Sequence, residues 1–175
     1  MQLTLVRHGE ASPAINGNDD KRPLTARGHR QAQQVAEYLK DVIQPDVFVV
    51  SPLLRAQETL AHLQHYFNDV PVMLCDKIKP EDDAKLAVEW LSQLPYDSIV
   101  VVCHMNVVAH ISALLTTESF HPYALAEARI YEQAVIATGL STQLKSLEAN
   151  LKSTEAILFR PSLNQFTYLG KINDR

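Results

Sequence analysis

The feature that most restricts this chain is an alternation. Short, continuous apolar runs are separated by longer segments whose apolar residues recur every three or four positions. Continuous runs suit buried strands, and a period near 3.6 marks one face of a helix. Residues 3–6, 47–50, 70–75, 99–103, 128–136 and 156–159 are the strand candidates. Most are apolar throughout, so both faces of the sheet should be covered. Between them, Ala32, Val35, Ala36, Leu39 and Ile43 form the stripe of a helix that begins near Thr25. Ser51 and Pro52 offer an N-cap and a first position for a second helix, with Ala56, Leu60, Leu63 and Phe67 inward. A third helix comes after Pro80, with Ala84, Ala87, Leu91 and Leu94 inward, and a fourth, across 105–115, is apolar nearly all round. Leu144, Leu147 and Leu151 read as a fifth helix within 140–153. The chain has no repeat, low-complexity tract or linker, and its 175 residues are 46% hydrophobic. The expectation is a single domain spanning 1–175, α/β in class, with a three-layer α/β/α build around a mostly parallel central sheet.

Charge and cysteine usage narrow the partners. Sixteen Lys+Arg against twenty Asp+Glu leave a net charge of −4, with no basic block, so nucleic acid is not an expected partner. No window approaches the roughly 20 apolar residues of a membrane span, and Met1 leads into strand pattern without a basic leader. An unprocessed, monomeric, cytoplasmic protein without membrane attachment is expected. Cys75 and Cys103 lie in apolar runs without CxxC spacing and read as reduced core thiols. His62 and His65 share a helix face at a spacing that can bind metal, though solvated histidines are the simpler reading, and His110 reads as a hydrogen-bonded core histidine. No carboxylate and histidine cluster resembles a metal site, so neither metal nor cofactor is expected.

Three strand candidates end in unusual polar groups. The first ends in Arg7, His8 and Gly9; the second runs into SPLLRAQET, which puts Arg55 in the first turn of a helix; the run IVVVC ends at His104. The carboxyl ends of parallel strands are where open α/β sheets bind ligands, so two histidines and two arginines should meet at one edge. Arginine's planar fork suits phosphate oxygens, and a neutral imidazole can attack phosphorus. Preorganised arginines and helix N-termini stabilise the charge of a transferring phosphoryl group. Glycine is scarce, with five in the chain, and Gly9 would let the backbone approach the phosphate closely. The polar stretch 14–23 reads as a loop beside the site.

LVRHGE, RPLTARG, SPLLRAQET and VVCHMN, in that order and spacing, resemble the histidine phosphatase superfamily, the phosphoglycerate-mutase-like proteins. The short length, the RPLTARG segment after a short polar loop and the lack of a large cap insertion between Arg55 and His104 resemble its SixA branch of phosphohistidine phosphatases. The motifs cover positions 2 to about 115. The resemblance implies that His8 is a nucleophile that becomes phosphohistidine, that Arg7 and Arg55 clamp phosphoryl oxygens, and that His104 donates to them. It also implies that Arg22 lies at the pocket edge. Glu10 stands beside the motif and could order a histidine or water, or be a plain strand-end glutamate; Arg27 reads more readily as a surface partner of a carboxylate.

One position departs from the family. Many members carry a glutamate shortly after the third strand as general acid, and this chain places Lys77 near there, with Glu81, Asp82 and Asp83 just beyond. Either the acid sits among those three or it is absent. Absence would fit a phosphoramidate, because an already protonated imidazole leaves with less help than an alkoxide. The activity implied is metal-independent hydrolysis of phosphohistidine on a histidine-containing phosphotransfer or phosphocarrier protein. The alternatives are a small-molecule phosphomonoesterase of the same superfamily and a phosphate-binding module without turnover.

Overall fold

The computed structural model describes residues 1–151, 158–161 and 167–168. Its elements run β1 (Gln2–Arg7), α1 (Ala26–Leu39), β2 (Val47–Val50), α2 (Leu54–Gln64), β3 (Val72–Leu74), α3 (Ala84–Ser92), β4 (Ser98–Cys103), α4 (Val107–Thr116), β5 (Ala128–Glu132), β6 (Thr142–Glu148), β7 (Leu158–Pro161) and β8 (Thr167–Tyr168). They build one sheet in the order β3-β2-β4-β1-β5-β6-β7-β8. The parallel strands expected from the apolar runs form the half containing β3, β2, β4 and β1. Every pairing from β1 outward through β5 is antiparallel.

Helices cover both faces, giving three layers. Val6, Phe48, Val50, Val100 and Val102 pack with Val35 and Leu39 of α1 and Leu60 and Leu63 of α2. The alternate residues Leu3, Leu5, Val49, Ile99 and Val101 pack with Leu91 of α3 and Ile111 and Leu115 of α4. Because both faces of these strands are dry, they could be apolar throughout, which is the pattern seen in the sequence. β3 is the exception: as the edge strand it leaves Val72 and Leu74 exposed. Cys75 and Cys103 are free, buried thiols, and burial pushes Cys103 up to about 12.

Helix ends show local chemistry at work. Thr25 caps α1 by accepting the Gly28 N–H, which starts the helix near the expected position. Ser51 and Pro52 do not cap α2; the helix begins two residues later, behind Leu53, and the Ser51 hydroxyl is drawn instead to the ring of His104. Asp83 caps α3 by accepting from the Lys85 N–H.

The largest departure is the fifth helix, which is strand β6. Residues 142–148 pair antiparallel with β5, where Leu147 sits opposite Ala128 and is fully buried. The register shifts between Ile130 and Tyr131, leaving Leu144 as the extra residue of a β-bulge. One inserted residue lets leucines three apart belong to one extended strand, so their helical spacing was coincidental. The open antiparallel edge of β5 outweighs that local periodicity. Residues 156 and 157 of the last strand candidate, and Leu151's expected helical continuation through 152 and 153, fall outside the described residues; 158 and 159 lie in β7. His110 is also corrected: it is exposed on α4 with its ring 4.7 Å from that of Phe120, because its side of the helix faces outward.

Candidate active site

Register brings the site together. Arg7 is level with Cys103 and Val50 is level with Val102, so the next residues, His8, His104 and Ser51, stand side by side past the strand ends. The His8 N–H donates to the Cys103 carbonyl at 3.0 Å and the Ser51 N–H to the Val102 carbonyl at 3.1 Å, which ties the three together by backbone. From here the chain leaves β1 for α1 on one face and β4 for α4 on the other. Such a divergence opens a crevice at the carboxyl ends of adjacent strands. The crevice is about 760 Å³, lined by Arg7, His8, Arg22, Arg55, Asp19 and Glu10, with Lys79, Glu81 and Asp82 on the opposite wall.

His8 is held in one orientation. Its Nδ1 lies 2.6 Å from the Gly9 carbonyl oxygen, a contact that requires the hydrogen to be on Nδ1. The lone pair therefore resides on Nε2, where the Arg55 Nε–H points from 3.3 Å. Burial, with Arg55, Arg7 and Arg22 nearby, lowers the His8 pKa to about 4 against a smaller opposing effect of the Gly9 bond. The imidazole is neutral near pH 7, as a nucleophile must be.

His104 lies beside it, ring centroids 5.1 Å apart. Its Nε2 is 2.7 Å from Ser51 Oγ, which also accepts weakly from the Leu53 N–H at 3.4 Å. The Ser51 hydroxyl can give its own hydrogen to Nε2 while accepting from Leu53, an arrangement in which the His104 proton sits on Nδ1. That Nδ1 is buried and has no partner among the described residues. Burial first, then His8 and Arg55, lowers the His104 pKa to about 2, so this ring too is neutral.

The arginines are anchored by backbone and carboxylate. Arg7 donates from Nη1 to the Tyr123 carbonyl at 2.6 Å, while its buried Nε has no partner among the described residues. Arg55, 3% exposed, donates from Nη1 to the Asp19 carbonyl and from Nη2 to the Asp19 carboxylate. Arg22 donates to the Ser12 carbonyl and to the other Asp19 oxygen. Asp19 thus bridges two arginines, and its carboxyl is held below the usual range by the Arg22 hydrogen bond, then by Arg55, against the desolvation of partial burial. Arg7, Arg22 and Arg55 line the crevice around the neutral His8 imidazole, a setting that suits the oxygens of a tetrahedral anion, with His104 buried beside His8.

Gly9 is close to the site but not for the expected reason. A β-carbon there would lie 2.5 Å from the Gly28 carbonyl oxygen, and the Gly9 N–H is spent on Thr59 Oγ1 at 3.1 Å. The missing side chain admits α1, not a ligand. Glu10 lines the cleft with its carboxylate accepting from the Thr25 hydroxyl at 2.8 Å and facing Arg27 at 3.7 Å. Lys77 pairs with Asp76 outside the cleft. Of the three acids after it, Asp83 caps α3, Asp82 accepts from the Lys79 N–H, and Glu81 accepts from the Asn106 amide. His62 meets His29 rather than His65, with His29 Nδ1 3.0 Å from His62 Nε2. Among the described residues no group of three or more His, Cys, Asp or Glu could hold a metal ion. Sequence reasoning missed Ser51 as a partner of His104 and Asp19 as the bridge between arginines; a serine directly after a buried strand was the available signal for the first.

Residues 3–79 match the model of the histidine phosphatase superfamily (branch 1). The chain is 29% identical over 143 residues to the phosphohistidine phosphatase SixA homolog of Haemophilus influenzae, covering 73% of this chain and 87% of that protein. In fold it is similar to the protein histidine phosphatase SixA complexed with tungstate, with a TM-score of 0.76, 24% identity and coverage of 85% of this chain and 97% of that one. It is also similar to the alpha-ribazole phosphatase of Shigella flexneri, with a TM-score of 0.67, 19% identity and coverage of 82% and 94%. Residues 3–79, which carry Arg7, His8 and Arg55, thus match the superfamily model, and the fold is similar to that of a SixA structure. The likeness to SixA-type proteins carried by the motifs is found in sequence, in the Haemophilus influenzae relative, and in fold.

Proposed function

We propose that the chain hydrolyses phosphohistidine on a phosphotransfer or phosphocarrier protein, through a covalent phosphohistidine on His8. The observation that carries this reading is the fixed tautomer of His8, with Nδ1 on the Gly9 carbonyl and Nε2 presented among Arg55, Arg7 and His104. In the first step the Nε2 lone pair attacks phosphorus as the substrate's P–N bond breaks, and the departing imidazole keeps the bonding pair. That imidazole leaves neutral if its other nitrogen was protonated before cleavage. Arg7 Nε and His104 Nδ1 donate to the equatorial oxygens, where charge builds. In the second step water attacks the phosphorylated His8, its proton passes to the released Nε2 or to phosphate, and inorganic phosphate departs. No cofactor or metal is invoked in either step.

A protein substrate is favoured by how little of the described chain covers the cleft. Between Arg55 and His104 the chain adds the rest of α2, β3, α3 and β4, and no inserted segment closes over the crevice. A second reading, a small-molecule phosphomonoesterase, is favoured by Glu81, a carboxylate lining the cleft that could protonate an alkoxide. Purified protein mixed separately with a phosphohistidine-bearing phosphocarrier and with nitrophenyl phosphate distinguishes them by phosphate release. Release from the phosphocarrier, lost in His8→Ala, supports the proposal. Release mainly from the ester and lost in Glu81→Gln supports the second reading, and release from neither overturns both.

A further inference from the structure

Arg129 lies on β5, outside the cleft, and its side chain is directed at backbone. It is 9% exposed, and its guanidinium uses all three nitrogens. Nε donates to Glu127 at 2.6 Å, Nη1 to the His121 carbonyl at 3.2 Å and Nη2 to the Pro122 carbonyl at 2.7 Å. Its Cζ lies 3.8 Å from the centre of the Tyr123 ring. The next carbonyl in line, that of Tyr123, is the one that accepts from Arg7 Nη1.

The same segment touches both catalytic candidates at the end of β1. The Arg7 N–H donates to the Glu127 carbonyl and the Ala126 N–H to the His8 carbonyl, each at 3.0 Å. Ala126 has a φ of 57°, a left-handed conformation that a β-carbon disfavours and that persists only where surroundings enforce it. Glu127 provides that enforcement from below: one carboxylate oxygen accepts from the Ala124 N–H, the other from Arg129 and the Ser146 hydroxyl. A buried ion pair whose every arm ends on a partner is rigid, because moving any one member strands another.

We propose that Arg129 is a positioning residue for the phosphoryl site, acting through the Tyr123 carbonyl to set the guanidinium of Arg7. The role rests on the phosphatase reading, since it matters for turnover only if Arg7 holds a phosphoryl group. Arg129 touches no reacting atom. It fixes two successive carbonyls so that the third is where the Arg7 fork needs it.

The test is a double-mutant cycle between position 7 and position 129, read as kcat/KM for release of phosphate from a phosphohistidine-bearing phosphocarrier and as affinity for orthovanadate by calorimetry. Glu127→Gln with Arg129→Met removes the ion pair without leaving a lone buried charge, and Arg129→Lys keeps the charge but loses the fork. In the wild-type background both should lower kcat/KM and weaken vanadate, by about ten- to a hundredfold for the double change and less for lysine. In an Arg7→Met background the same changes should have no further effect, because the residue they act through is gone. Losses that multiply instead, or a fall in melting temperature with kcat/KM and vanadate affinity intact, overturn the proposal. If the double change fails to fold, the Arg129→Lys arm of the cycle decides. Wild-type protein that binds vanadate but releases no phosphate would sink the hydrolase reading, while the vanadate cycle still decides whether Arg129 sets Arg7.

Discussion

At the residue scale the site depends on protons being in the right places. His8 Nδ1 carries its hydrogen because the Gly9 carbonyl can only accept, and the Ser51 hydroxyl at His104 Nε2 suits a hydrogen on His104 Nδ1. Replacing Ser51 with alanine frees the His104 ring to rotate or change tautomer, and turnover should fall about ten- to a hundredfold while stability drops by about 1 kcal/mol; a kinetic assay beside a urea titration separates the two effects. His8 should remain neutral well below the ordinary histidine range, titrating near 4. Imidazole resonances tracked by NMR would show it, and a midpoint near the ordinary histidine value of about 6.5 would contradict the desolvated, arginine-flanked setting. Arg7, His8, Arg55 and His104 were all legible as a set because each ends or opens an element with a clear pattern. Asp19 was not, since a carboxylate in a polar loop carries no local sign of which arginine it will meet.

At the element scale, two contacts decide how the site-bearing pieces meet. The approach of α1 to the end of β1 needs two glycines, and a β-carbon on Gly28 would fall 2.0 Å from the Glu10 carbonyl oxygen. Gly28→Ala should cost about 3 kcal/mol, measured by chemical denaturation, because only backbone lies in the way. Strand β6 makes the second point. Leu147 is fully buried and Leu144 sits half-buried at the bulge, so Leu147→Ala should destabilise by about 3 kcal/mol and Leu144→Ala by clearly less. A helix across 140–153 would instead make Leu144 and Leu147 comparable. The four helices and the parallel strands were readable because their apolar patterns are strong enough to mark each element without its partner. The strand at 142–148 was not, because its identity comes from pairing with β5 and from one inserted residue.

At the scale of the whole molecule, burying two neutral histidines in a cationic crevice makes stability depend on pH. Their folded pKa values, about 4 for His8 and about 2 for His104, lie below the unfolded value near 6.5. Above about 6.5 neither state binds these protons and there is no penalty. As pH falls from there the unfolded chain takes them up first, so stability is lost, by about 3 kcal/mol for His8 once pH reaches its folded value. Thermal melts from about pH 7 to 4 should show this loss. Inorganic phosphate or tungstate should oppose it, since an anion held between Arg7, Arg22 and Arg55 in the crevice binds only the folded state. The sequence by itself determined the layered α/β class, most of the helices and the four residues of the candidate phosphoryl site, because these depend on local periodicity and on the residues placed directly after each strand. Only the tertiary structure decided the antiparallel half of the sheet, the Asp19 bridge, the Ser51 partner of His104 and the Arg129 brace behind Arg7. Each of these depends on register and packing that no single segment encodes.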